Sequence, residues 1–184
     1  MKKNILIINV CKEPLHIMEF VEPIKKIILG EGLNFFEKNY SDVSTFDLDN
    51  ASSIIICGTS LKDNEFTKHM KFFDWIKEIN KPILGICAGV QIIGLIFGGK
   101  INTMTEIGFY FEEFEKIFLG LSGKQEVYHL HNNFIDFKKL NNFEVYCVQN
   151  GVSQAVKHKD KEIYGVLFHP EVRQKEMILS FISK

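Results

Sequence analysis

Pro82-Ile83-Leu84-Gly85-Ile86-Cys87-Ala88-Gly89-Val90-Gln91 reads as a buried strand that turns at once into a helix. Ile83 to Ile86 is a short apolar run of the kind that fills the centre of a parallel sheet. Ala88 to Phe97 is apolar at helical spacing and stops at Gly98-Gly99. Between them stands Gly-x-Cys-x-Gly. The serine version of this motif places a nucleophile on a sharp, strained strand-to-helix turn. Glycines two before and two after the nucleophile let backbone segments approach closely. Cys87 is thereby pushed out above the sheet edge. It also lies at a helix N-terminus, which favours a thiolate. The N–H of Ala88 is aimed where an oxyanion would develop.

On either side of this turn the first half alternates strand and helix. Asn4 to Val10, Leu33 to Tyr40 and Ser53 to Cys57 read as strands. His16 to Leu29 has helical spacing, with Pro23 predicting a kink or a late start. Glu65 to Ile79 reads as an amphipathic helix with Phe66, Met70, Phe73 and Ile76 on one side. From Lys100 to Phe168 the pattern becomes short strands with turns, broken at Gly123, Asn141-Asn142 and Gly151. Ile163 to Phe168 is another buried strand, and Val172 to Ser183 a closing helix. The fold class expected is α/β, a mostly parallel open sheet flanked by helices, with a small antiparallel section. Residues 1–184 are expected to form one domain.

Composition narrows the function classes. Hydrophobic residues make up 46% and charged residues 24%, with a net charge of −1. Arg173 is the only arginine. Neither nucleic-acid binding nor attraction to a membrane surface is expected from that balance. No apolar run approaches a membrane span, and Ile5 to Val10 is too short for a signal peptide core. Cys11, Cys57, Cys87 and Cys147 form no zinc pattern. A reducing cytoplasm with free thiols and no metal site is the expectation.

A cysteine nucleophile needs a base, and the base an orienting carboxylate. Of the six histidines, only His169 follows a buried strand and precedes Pro170-Glu171. Pro170 fixes the backbone there, and Glu171 can fold back to the imidazole. His16 and His69 fall on helices as surface or boundary residues, and His158 lies in a Lys-rich turn where solvent is expected. His129 and His131 alternate on a strand, a pattern that also suits metal, but the sequence names no further ligand. Cys11, Cys57 and Cys147 lack the elbow and read as core thiols.

Gly85 to Gln91 together with Phe168-His169-Pro170-Glu171 resembles the class I (triad) glutamine amidotransferases. Glu106-Ile107-Gly108-Phe109 and Gly98-Gly99-Lys100-Ile101 are similar to weaker family segments. The resemblance implies a flavodoxin-like fold and a Cys87, His169, Glu171 triad that hydrolyses the glutamine side-chain amide through a glutamyl thioester. It implies an oxyanion hole from the backbone of Ala88 and Gly58. It implies substrate contacts at Gln91, Leu130, Asn132 and Asn133. Ammonia would pass to a separate ATP-dependent synthetase subunit, so ATP and Mg belong to the partner and this chain needs no cofactor. Ile163 to Val172 looks most like the glutaminase part of GMP synthetases. An amidotransferase subunit for another acceptor, a stand-alone γ-glutamyl hydrolase or cysteine peptidase-like hydrolase, and a non-catalytic module on the same fold are the alternatives. Two segments depart from the family pattern. Gly58-Thr59-Ser60 stands where members carry Gly-Gly-Pro or Gly-Pro-Gly, and Asn132-Asn133 where many carry Gly-Asp.

Overall fold

A computed structural model describes residues 3–184. Met1 and Lys2, which precede the apolar run Ile5 to Val10, lie outside the described residues. The first half supplies β1 (Asn4–Asn9), α1 (Pro14–Phe20), α2 (Glu22–Gly30), β2 (Asn34–Asn39), α3 (Thr45–Asn50) and β3 (Ser53–Ile56). α4 (Trp75–Glu78), β4 (Ile83–Ile86) and α5 (Ala88–Ile96) follow. The second half adds β5 (Ile101–Phe118), β6 (Leu121–Ile135), β7 (Phe143–Gln149), β8 (Val152–His158) and β9 (Ile163–Val166). α6 (Pro170–Arg173) and α7 (Lys175–Ile182) close the chain.

The main sheet has seven strands in the order β2-β1-β3-β4-β9-β8-β7. The first five in that order are parallel, and β8 and β7 run antiparallel at one edge. The hairpin β5–β6 forms its own two-stranded sheet. Central strands are apolar at nearly every position because both faces are covered. Ile5, Ile7, Ile55 and Leu84 pack on the side of α2 and α7. Leu6, Ile8, Ile54 and Ile83 pack on the side of α5. This is the expected α/β architecture, and it puts the ends of β3, β4 and β9 side by side.

Four elements differ from expectation. Glu65 to Ile79 is not one helix but a 3-10 segment, Glu65–Phe73, with a break at His69 (φ −124°, ψ 29°), followed by α4. Phe66, Thr67, His69, Phe72 and Phe73 are weak helix formers, so the apolar spacing survives while the regular winding does not. The region after Lys100 opens with two long strands of 18 and 15 residues rather than short ones. Gly123 sits inside β6 at φ 61°, and the pairing slips between Phe114 and Phe118, so the breaker is absorbed as an irregularity. The closing helix is split at Gln174 into α6 and α7. α3, unread in the sequence, begins with a reciprocal capping box between Ser44 and Asp47. Pro23 does start a second helix, α2, after a break at Val21.

Candidate active site

The turn between β4 and α5 is tight in the way the motif requires. Cys87 adopts φ 49° and ψ −102°, a strained conformation for a residue with a side chain. Its N–H is held by the Val166 carbonyl at 2.8 Å. A Cβ on Gly89 would fall 2.2 Å from the Ile56 carbonyl oxygen, so the helix start can only pass β3 as glycine. Ala88 opens α5, where backbone N–H groups have no acceptor within the helix.

His169 follows β9 and caps α6, with Pro170 in the first turn. Its backbone N–H donates to the Tyr128 carbonyl at 2.8 Å. Its Nδ1 lies 2.7 Å from Glu171 Oε1, and both side chains are buried. The ring packs on Phe20, with centroids 5.4 Å apart. Nε2, the nitrogen left for a thiol, makes no hydrogen bond among the described residues. Cys87 Sγ points to the Leu130 carbonyl at 3.6 Å. Burial opposes the imidazolium, but the charges of Glu171 and Cys87 outweigh it and hold the His169 pKa well above its ordinary value. A Cβ on Gly58 would fall 2.7 Å from His169 Cε1 and 3.3 Å from Cys87 Cβ, so Gly58 sits against both. A thiol beside an oriented imidazole is suited to nucleophilic attack on an acyl carbon.

The loop after Gly58 is pinned despite its departure from the family pattern. Thr59 donates its hydroxyl proton to Asp63 at 2.7 Å, and the same carboxylate accepts the Lys12 N–H at 2.7 Å. Cys87, Ala88, Gln91, Leu130, Asn132 and Asn133 all line one cavity with this loop. The free space there is only about 10 Å³, room for about one water. Side chains bridge across it. Asn132 Nδ2 donates to the Leu61 carbonyl at 3.3 Å, and Asn133 Nδ2 to Asn64 Oδ1 at 3.3 Å. Gln91 donates to the Asn133 carbonyl at 3.1 Å. Cys87, Ala88, Gln91, Leu130, Asn132 and Asn133 thus share one cavity, and Gly58 packs against Cys87 and His169, with Glu171 behind the imidazole.

Some site features were not foreseen. His129 and His131 are buried with Glu106, Glu112 and Gln154 beneath the hairpin. Glu106, His129 and His131 place ligand atoms within 4.8 Å of one another, the one such group among the described residues. His131 Nε2 is already directed at Glu106, and His129 Nε2 at Glu112. The two carboxylates lie on a strand far from the histidines in sequence, so spacing gives no sign of them. His158 is buried, not solvated. Its ring packs on Phe97 and Phe143, and its Nδ1 accepts the N–H groups of Asp160 and Lys161. All four cysteines are free.

Comparison with known proteins gives the family. The family model for glutamine amidotransferase class-I matches residues 22–184. The chain is 36% identical over 100 residues to a glutamine-hydrolysing GMP synthase of Spiroplasma kunkelii, covering 52% of this chain and 19% of that protein. The match therefore spans only about a fifth of the Spiroplasma protein's length. The chain is 35% identical over 137 residues to a glutamine-hydrolysing GMP synthase subunit of Pyrococcus abyssi, covering 69% of this chain and 70% of that one. The crystal structure of a GMP synthase subunit from Thermoplasma acidophilum superposes with a TM-score of 0.86 at 22% identity. That superposition covers 100% of this chain and 94% of the other, and it speaks to the fold. No helix of the described residues is long and apolar enough to cross a membrane. With the elbow at Cys87, the buried His169–Glu171 pair and a family match over most of its length, the chain belongs to the glutamine amidotransferase class-I family.

Proposed function

We propose that this chain is the glutaminase subunit of a two-chain GMP synthetase. Cys87 Sγ attacks the side-chain amide carbon of glutamine. His169 takes the thiol proton through Nε2 and gives it to the departing ammonia. Glu171 holds the imidazole by Nδ1 in the orientation this needs. The N–H groups of Ala88 and Gly58 receive the oxyanion. Water then cleaves the glutamyl thioester and restores the thiol. Gln91, Leu130, Asn132 and Asn133 contact the substrate. ATP and Mg act on the partner subunit, which aminates the acceptor. Four free thiols fit a reducing, cytoplasmic setting.

The observation that carries this reading is the packing of Gly58 against both Cys87 and His169, with Glu171 behind the imidazole. The GMP assignment draws on the names of the relatives matched. Ammonia release from glutamine is the test, measured with an XMP-aminating, ATP-dependent subunit present. Cys87→Ala should abolish release. Equal release from parent and Cys87→Ala removes the triad reading. Stimulation by a different synthetase but not by the XMP-aminating one keeps the glutaminase and removes the GMP assignment.

A further inference from the structure

The hairpin β5–β6 carries the strand that faces the nucleophile, yet among the described residues it shares no strand pairing with the main sheet. Its placement over the carboxyl ends of β4 and β9 must come from side chains and isolated hydrogen bonds. On β6, side chains alternate, and Val127, His129 and His131 point inward to the core. Val127 is what such a position ordinarily holds. The two histidines are not, because buried ionisable groups are costly unless paired.

Each histidine ends a relay that starts on the main sheet. Gln154 on β8 donates to Glu106 Oε2 at 2.7 Å, and the same oxygen meets His131 Nε2 at 3.0 Å. His131 is next in chain to Leu130, whose carbonyl faces Cys87 Sγ. Cys147 on β7 donates to Glu112 Oε2 at 3.4 Å, and Glu112 Oε1 meets His129 Nε2 at 3.0 Å. His129 is next in chain to Tyr128, whose carbonyl holds the backbone N–H of His169. The two carboxylates, both from β5, thus tie β6 to β7 and β8 within one residue of each contact with the catalytic pair.

We propose that Glu106–His131 and Glu112–His129, backed by Gln154 and Cys147, are positioning pairs that seat β6 over the main sheet, so that Leu130 and Tyr128 hold Cys87 and His169 in place. The proposal rests on the glutaminase reading of the site. Apolar contacts are non-directional and permit a strand to slide by fractions of an ångström. A buried hydrogen-bonded chain from Gln154 and Cys147 through the carboxylates to the histidines does not, because its bonds are directional. A displacement of about 1 Å at a reacting centre lowers turnover by about 100-fold.

The test separates positioning from stability. In the full chain with its synthetase partner, Glu112→Leu combined with His129→Leu replaces one pair by apolar side chains. Such replacements, where the apolar side chains pack well, are often neutral or stabilising. The thermal midpoint is expected to hold, and kcat for glutamine hydrolysis to fall about 10- to 100-fold with KM within about twofold. Glu112→Gln keeps an acceptor for His129 and should hold kcat within about threefold of the parent. Parental kcat in the double variant overturns the proposal. So does a Glu112→Gln loss as large as that of Glu112→Ala. A bound divalent metal in the purified protein, whose removal causes the same loss, reassigns the cluster and also overturns it. The rate of Cys87 alkylation by iodoacetamide needs no glutamine. It should change in the double variant even where a parent no more active than Cys87→Ala has removed the glutaminase reading. An unchanged alkylation rate counts against positioning.

Discussion

Gly58 faces the imidazole of His169 so closely that a methyl group there would fall 2.7 Å from Cε1. The ring cannot easily yield, because Nδ1 is bonded to Glu171 and Phe20 packs against it. Gly58→Ala must therefore tilt the base or push the loop away from Cys87. Turnover of glutamine with the partner present should fall by about 100-fold. The thermal midpoint should fall by about 2–12 °C as well, since a methyl group forced between buried side chains costs about 1–3 kcal/mol. Parental turnover in this variant means that the site accommodates a side chain at Gly58 and that its closeness to His169 has no role.

The His169–Glu171 pair makes stability depend on pH in a definite direction. Burial opposes protonation of His169, but Glu171 and Cys87 raise its pKa well above 6.5 in the folded state. A pKa raised on folding stabilises the native state fully below the unfolded value of about 6.5. That stabilisation is lost as pH rises through the folded value. Glu171→Gln removes one of the two charges that raise it. The parent should exceed the variant in unfolding free energy most at mildly acidic pH, with the gap closing as pH rises. Urea unfolding at a series of pH values measures this. A gap that widens with pH contradicts the assignment of the charge to His169.

The parallel core and the meeting of Cys87, His169 and Glu171 were legible in the sequence because both are written locally. Ile54 to Ile56 and Ile83 to Ile86 are buried at every position, which only a doubly covered strand allows. Gly85, Cys87 and Gly89 specify a turn whose crowding follows from their spacing. His169 and Glu171 are two residues apart. What escaped was non-local or marginal. Glu106 meets His131 only through the pairing of β5 with β6, and Gln154 reaches Glu106 from a different sheet. His158 stands among lysines, yet its ring fills a gap beside Phe97 and Phe143. α3 hangs on a single capping box over six residues, too short to give a period.

The remaining thiols should be inert, leaving one labelling site. Burial pushes the Cys11 thiol up to about 11, against a lowering hydrogen bond with Thr59. Burial raises Cys57 well above the ordinary thiol range, with the Glu171 charge adding to it. Burial and the neighbouring Glu112 raise Cys147. Alkylation follows the thiolate fraction and access. Cys87 is as buried as Cys11, at 3% against 4% exposed. What separates them is the raised Cys11 pKa and the cavity beside Cys87 that opens when the 59–64 loop moves. Brief iodoacetamide treatment near about pH 8 should therefore add one group, at Cys87, as read by mass spectrometry of the intact and digested chain. Cys87→Ala should take up none. Equal labelling of Cys11 contradicts the burial argument.

The cavity beside Cys87 has about 10 Å³ free, far less than glutamine needs, so the 59–64 loop must move for substrate to enter. Two side chains of β6 hold it shut, Asn132 on Leu61 and Asn133 on Asn64. These are the positions where the family pattern has Gly-Asp, so a glycine at the first could not make the tie to Leu61. Asn64→Ala removes one tie and leaves β6 intact. A hydrogen bond of this kind contributes about 1 kcal/mol, equivalent to a factor of about five in the open population. Apparent affinity scales with the fraction in the competent state. The lone subunit carrying Asn64→Ala should then bind glutamine about fivefold more tightly and alkylate at Cys87 about fivefold faster. With the synthetase bound and the loop already displaced, the same substitution should have little effect. A fivefold gain that persists in the complex would mean that partner docking does not open this loop.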